Sequence, residues 1–205
     1  MISLQTKELG KWFGTRKIFD RLDLYLEEKG SLVVTGKNGS GKTTLLKILC
    51  GLLRPTKGEV LINFGERNLT RQESRNLLGL VMPDLELYGE LTALENLLFL
   101  SRIRGLNLSR GELEMKIDQV GLAGREDDPV FSFSSGMKQR LKYALALLFD
   151  PRVLLLDEPT ANLDEDGILL VDRIVSQQKE RGILILATNE KADLKYGDRV
   201  IQLGN

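Results

Sequence analysis

Histidine is missing from all 205 residues of this chain, and cysteine occurs once. The first absence denies any site here an imidazole, the side chain that most readily carries a proton near neutral pH. The second excludes a disulfide framework, and Cys50, on an apolar helical run, reads as a buried core thiol. Net charge is absent too, with 29 Lys and Arg against 29 Asp and Glu. A nucleic-acid binder usually advertises a basic excess, so no nucleic acid is expected as partner. No apolar run approaches the ~18 residues of a membrane helix. The opening Met1–Lys7 lacks the apolar core of a signal peptide. These absences lead to the expectation of a soluble, intracellular chain. Repeats, low-complexity tracts and linkers are also missing. The apolar share, 42%, is ordinary for a globular protein. The length suits one large domain, or one domain with a lobe.

The chain is organised around Gly36-Lys37-Asn38-Gly39-Ser40-Gly41-Lys42-Thr43-Thr44. This fits the phosphate-loop pattern G-x-x-x-x-G-K-[ST], and its flanks agree with it. Leu32–Thr35 before it reads as a buried strand, and Leu45–Cys50 after it is apolar at helical spacing. Glycines at 36, 39 and 41 let backbone N–H groups turn inward with no Cβ in the way. Those donors, with the positive end of the helix dipole, suit the phosphates of ATP. Lys42 is expected to reach the β- and γ-phosphates. The Thr43 hydroxyl is expected to ligate Mg²⁺, and Thr44 offers a second hydroxyl near the α-phosphate.

Period-2 alternation in the first 30 residues suggests an antiparallel hairpin, joined by a strand near residues 58–64. The hairpin connection carries Trp12 and Phe13 beside Lys11, Arg16 and Lys17. An aromatic there either stacks on a purine with cations near its phosphates or fills a core corner. A short polar helix near residues 71–76 precedes a strand, Leu78–Met82, which Pro83 stops. Residues 86–134 read as all-helical, with Thr92 as an N-cap and a Ser109–Glu112 capping box. The helix opened by Ser134-Ser135-Gly136 has Met137, Leu141, Ala144, Leu145 and Leu148 at a 3.6 period. Val153–Leu156 is a continuous apolar run, as expected of a strand covered on both faces. It delivers Asp157 and Glu158 where ligands sit in open α/β sheets. Asp157 is expected to hold Mg²⁺ opposite Thr43, and Glu158, on an extended strand end, to act as general base. A helix from Glu165 to Arg181 is expected to turn Ile168, Val171, Ile174 and Val175 inward, capped by Gly182. Strands at Ile183–Ala187 and Arg199–Leu203 close the pattern. The fold class is therefore α/β: a phosphate-loop core with a mainly parallel sheet, an antiparallel layer and an inserted helical lobe.

In this order the pieces resemble the ATP-binding cassette (ABC) ATPases, over essentially the whole length. Phe13 falls where that family stacks the adenine. Phe133-Ser134-Ser135-Gly136-Met137 is similar to its signature L-S-G-G-Q. Val153–Asp157 resembles its Walker B strand, with Glu158 as the catalytic glutamate, and Ala161–Asp164 its D-loop. The resemblance implies that Ser134, Ser135 and Gly136 cover the γ-phosphate held by a second subunit. It further implies a head-to-tail dimer sandwiching two ATP molecules, homomeric or heteromeric, coupled to transmembrane permease subunits. The location implied is cytoplasmic, on the inner face of the cell membrane. Leu91–Asn96 and the small size resemble export-type subunits, including those of cytochrome c biogenesis, the haem-export type.

Two positions depart from the family. Its loop glutamine would follow Met82, where this chain has Pro83 and then Asp84, which could touch Mg²⁺ in part. Its switch histidine would follow Thr188, where this chain has Asn189. An amide can donate to a phosphate but carries neither proton nor charge. Two mechanistic readings stay open: a slow but genuine ATPase, or a nucleotide-dependent clamp or regulatory subunit. A soluble cassette protein acting on DNA or ribosomes, and a phosphate-loop small-molecule kinase, are the alternatives outside the transporter class.

Overall fold

The computed structural model describes residues 1–204. Strands β1 (Ile2–Phe13) and β2 (Arg16–Glu27) form the expected hairpin, and β3 (Ser31–Thr35) runs through the glycine loop into α1 (Lys42–Leu49). Next come β4 (Lys57–Phe64), the short β5 (Arg67–Asn68), α2 (Arg71–Arg75) and β6 (Leu78–Val81). Helices α3 (Ala93–Ile103), α4 (Arg110–Asp118) and α5 (Ser135–Leu147) fill the middle. The chain closes with β7 (Val153–Asp157), α6 (Glu165–Arg181), β8 (Ile183–Thr188) and β9 (Arg199–Gln202).

The strands make two sheets. One is antiparallel, in the order β2-β1-β4-β5; the other is parallel, in the order β6-β7-β8-β3-β9. Alternation along the parallel strands splits the core in two. Leu32, Val34, Leu155 and Ile185 face α1 and the antiparallel layer. Val33, Leu154, Leu156 and Leu186 face α5, α6 and the helical lobe. Every residue of β7 and β8 is buried, which explains why these strands read as unbroken aliphatic runs. Truncating one such side chain, as in Leu155→Ala, is expected to cost about 2–5 kcal/mol.

Local chemistry explains the details. Leu4, Thr6 and Leu9 are all buried although their parity differs. A register shift between Thr6 and Leu9, with Glu8 at φ 46°, is the bulge that reconciles them. Thr70, Thr92 and Ser109 each close a capping box with the glutamate three residues on. Cys50 is buried as expected, and burial pushes its thiol up. Ile168 corrects the expected phase of α6. It is 36% exposed, while Leu170, Val171, Ile174 and Val175 turn inward. The helix starts at Glu165, so Gly167 opens the inward stripe and Ile168 sits one position off it. Gly182 ends α6 with extended backbone rather than a left-handed cap. A Cβ there would stand 2.3 Å from the Arg152 carbonyl oxygen, so close approach is what requires glycine.

The lobe buries Phe133 but keeps three other aromatics outside. Tyr88, Phe99 and Phe131 are exposed, with Tyr88 and Phe99 in an edge-to-face pair at 5.0 Å. Among the described residues, no helix is long and apolar enough to cross a membrane.

Candidate nucleotide site

Four parallel strands, β3, β6, β7 and β8, point their C-terminal ends at one region. The loop after β3 supplies a cradle. Gly36, Gly39 and Gly41 have φ of 147°, 77° and 104°, in the left-handed half of the map. A Cβ on Gly41 would stand 2.3 Å from Ile18 Cγ2, and one on Gly36 would stand 2.5 Å from the Leu203 carbonyl oxygen. Both would also be strained by conformation, so glycine is required twice over. Helix α1 then begins with no side-chain cap and no acid in its first turn. Its leading N–H groups and dipole are left for an anion. Lys37, Asn38 and Ser40 complete the loop, and Thr44 follows Thr43 on the first turn of α1.

Lys42 is buried, at 6% exposure. Its Nζ donates to Gly36 O at 2.9 Å and to Asn189 Oδ1 at 2.6 Å, and lies 3.7 Å from Glu158 Oε1. The loop lysine, the strand-end acid and the position expected to hold histidine therefore meet in one cluster. Asn189 bridges further, its Nδ2 donating to Asn38 Oδ1. Thr43 Oγ1 donates to Asp157 Oδ2 at 2.5 Å. The other oxygen, Asp157 Oδ1, is buried without a partner among the described residues, as is Ser40 Oγ. Burial pushes the Asp157 carboxyl up, the Thr43 hydrogen bond opposes this, and the charges of Glu158 and Asp84 add to the rise.

This donor set fits Mg²⁺. It offers hard oxygens from Thr43 and Asp157, one of them orphaned, and Mg²⁺ takes one or two protein ligands beside phosphates and water. Among the described residues, no group of three or more His, Cys, Asp or Glu would hold a metal alone.

Glu158 differs from the extended strand end expected of it. Its φ is 48°, a left-handed conformation rarely adopted outside glycine and asparagine. Such a residue costs about 1–3 kcal/mol and persists where its surroundings over-determine it. Here Glu158 N donates to Ala187 O at 2.8 Å, and Ala161 N donates to Glu158 O at 3.2 Å. The turned backbone swings the carboxylate toward β8, where Oε2 accepts the Asn189 N–H at 3.2 Å.

The remaining positions divide. Phe13 is 51% exposed at the hairpin tip, with Lys11 Nζ 4.8 Å from its ring centroid. The core-corner alternative is thereby removed, and a free aromatic face remains. Asp84 is exposed and pairs with Lys47 at 2.6 Å, so its carboxylate already has a cation. Ser134 caps α5, its Oγ accepting the Met137 N–H at 3.2 Å. Ser134, Ser135 and Gly136 make no hydrogen bond to residues 36–44 among the described residues.

Some neighbours escaped the sequence reading. Asp193 is buried, accepting from Thr188 Oγ1 at 2.8 Å and Thr160 Oγ1 at 3.1 Å, and so ties the ends of β7 and β8 together. Lys142 and Tyr143, both buried on α5, reach the loops after β6 and β7. The one signal for the last pair was a lysine interrupting an otherwise apolar stripe.

Comparisons with known proteins bear on the family and the fold. The family model described as "ABC transporter" matches residues 19–161. The bacitracin transport ATP-binding protein of Bacillus licheniformis is 37% identical over 188 residues, covering 91% of this chain and 61% of that protein. A cytochrome c biogenesis ATP-binding export protein of Pseudomonas fluorescens is 36% identical over 209 residues, covering 98% of this chain and 96% of that protein. A bacterial ABC transporter cassette, solved as a dimer, superposes with TM-score 0.85 over 98% of this chain and 94% of its own, at 24% identity. That likeness bears on the fold, which is the ABC ATPase fold. The chain belongs to the ABC transporter family, among its ATP-binding ATPase subunits.

Proposed function

We propose that this chain binds ATP with Mg²⁺ and hydrolyses it to drive export through membrane-spanning partner subunits. One observation carries the reading: Thr43 and Asp157 share a hydrogen bond that leaves Asp157 Oδ1 orphaned, while Glu158 is turned toward Lys42 a residue away. Phe13 stacks on the adenine, residues 36–44 wrap the phosphates, and Lys42 neutralises the β- and γ-oxygens. Thr43 and Asp157 would hold Mg²⁺, which would supply positive charge to offset the charge that develops on the phosphates. Glu158 takes the proton of the attacking water, and the Asn189 amide donates to the γ-phosphate where histidine is usual.

The dimer and the membrane partner are part of the proposal. Ser134, Ser135 and Gly136 stand at a helix N-terminus suited to the γ-phosphate of a second subunit. The exposed Tyr88, Phe99 and Phe131 offer a permease subunit an aromatic seat on the lobe. Peripheral attachment to the inner face of the cell membrane follows from that docking. Export is supported by the name of the cytochrome c biogenesis export relative, and transport by that of the bacitracin relative. Cargo is read by the permease, so the class of reaction proposed for this chain is ATP hydrolysis coupled to export.

A second reading, a clamp that binds ATP and dimerises with little turnover, is favoured by one feature: Asn189 cannot carry a proton. Mg²⁺-dependent hydrolysis by the purified chain, beside Glu158→Gln and in membranes with its permease, separates the two. Turnover that vanishes in Glu158→Gln supports the motor. Tight ATP binding with turnover no greater than in Glu158→Gln, in the membrane as well, would leave the clamp.

A further inference from the structure

Helix α5 does more than present its N-terminus. Two adjacent side chains on it, both buried, reach the two loops that carry the site's outer carboxylates. Lys142, 9% exposed, donates through Nζ to Pro83 O at 2.7 Å and to Met82 O at 3.2 Å. Tyr143, wholly buried, donates through its hydroxyl to Pro159 O at 2.7 Å. Pro83 and Pro159 lack an N–H, so neither residue can anchor its loop through a backbone donor. The carbonyls are what remain to be held. Pro159 directly follows Glu158, whose left-handed backbone needs external support. Pro83 directly precedes Asp84.

We propose that Lys142 and Tyr143 are positioning residues that hold the Pro83–Asp84 and Glu158–Pro159 loops in register, so that the helix begun at Ser134 sets the geometry of both. The inference rests on the ATPase reading of the site, and its chemistry needs nothing beyond hydrogen bonds. Burial supports it, since the Tyr143 hydroxyl is pushed well above its ordinary range and stays a donor at working pH. A carbonyl stripped of its buried donor is left unsatisfied, and the loop shifts to reach water.

The test uses Tyr143→Phe and Lys142→Met, which keep most of the packing volume. The expected result is a kcat lowered about fivefold in Tyr143→Phe, which loses one hydrogen bond, and at least as much in Lys142→Met, which loses two, with ATP affinity unchanged. Amide hydrogen exchange should quicken at residues 158–163 in Tyr143→Phe and at residues 84–87 in Lys142→Met. A purely structural role would lower the melting temperature and leave kcat per folded molecule alone. Unchanged kcat, or ATP affinity falling in step with it, overturns the proposal. If the wild type turns over no faster than Glu158→Gln, the ATPase reading fails separately. Exchange then decides: quickening confined to the named segments supports positioning, and no local change refutes it.

Discussion

The ends of β3 and β7 and the ends of β6 and β8 belong to one sheet and face one site, yet they diverge. At β3 and β7 the residue types match the family pattern: three glycines, Lys42 and Thr43 on one, Asp157 and Glu158 on the other. At β6 and β8 they depart, with Pro83–Asp84 and Asn189. The matching ends make the short internal bonds, Thr43 to Asp157 at 2.5 Å and Lys42 to Gly36 O at 2.9 Å. The departing ends are held by other means. Asn189 is fixed by Lys42 and Asn38, and the Pro83 carbonyl by a lysine on the lobe. The groups proposed to bind phosphate and cation keep the family's charge and conformation. Those proposed to meet the γ-phosphate carry a different side chain here, and other residues hold their loops.

The sharpest way to break this division is at the matching side. Glu158→Gln removes the proton acceptor and keeps the shape. Turnover is expected to fall by ~10²–10⁴-fold, with ATP binding retained, in single-turnover hydrolysis beside equilibrium binding. A small effect would mean that the β7 end does not carry the chemistry.

Phe13→Ala tests the hairpin tip, outside all four strand ends. Stacking of a base on an aromatic is worth about 1–3 kcal/mol, so ATP affinity is expected to drop about 5–150-fold. The loss should be smaller for a triphosphate without a purine ring, which titration calorimetry would read directly. Equal losses for both would assign Phe13 to the fold of β1 and β2.

How far the site could be read from the chain differs along the same line. The loop at residues 36–44 is contiguous, so spacing alone reports its geometry, and the strand into Asp157 announces itself by four aliphatics in a row. The sheet order is less visible, because it depends on crossovers. The phase of α6 is less legible at Ile168, since Ile168, Leu169, Leu170 and Val171 are all apolar and compete for the inward face. The left-handed turn at Glu158 left no trace, because glutamate does not advertise such a conformation as glycine would. Asp193, Lys142 and Tyr143 act across long sequence separations through single hydrogen bonds, and no local pattern encodes those.

On the departing side, Asn189→His restores an imidazole between Lys42 and Asn38. A gain of about tenfold in turnover is expected, below the ~10²–10³ that removing a donor usually costs, because the Asn189 amide already donates. The pH profile carries the clearer signature. The wild type has no histidine, so the variant's profile should acquire an additional, imidazole-borne inflection that the wild-type profile lacks. A rate that falls in the variant would mean that the bond from Lys42 to Asn189 Oδ1 is itself needed.

The smallest effect is expected at Asp84. Its carboxylate is exposed and bound to Lys47 at 2.6 Å, and an exposed ion pair is worth at most about 1 kcal/mol. Asp84→Asn should therefore lower turnover less than about fivefold, if its only duty is that pair. A direct part in holding Mg²⁺ makes a different demand. The variant would then need more Mg²⁺ for half-maximal hydrolysis, while Lys47→Met, which frees the carboxylate, would need less. Titrating Mg²⁺ at fixed ATP separates the two, because loss of the pair alone affects both variants alike and leaves the midpoint unmoved. A shifted midpoint would bring the end of β6 into the metal site with Thr43 and Asp157, and three of the four strand ends would then share one cation.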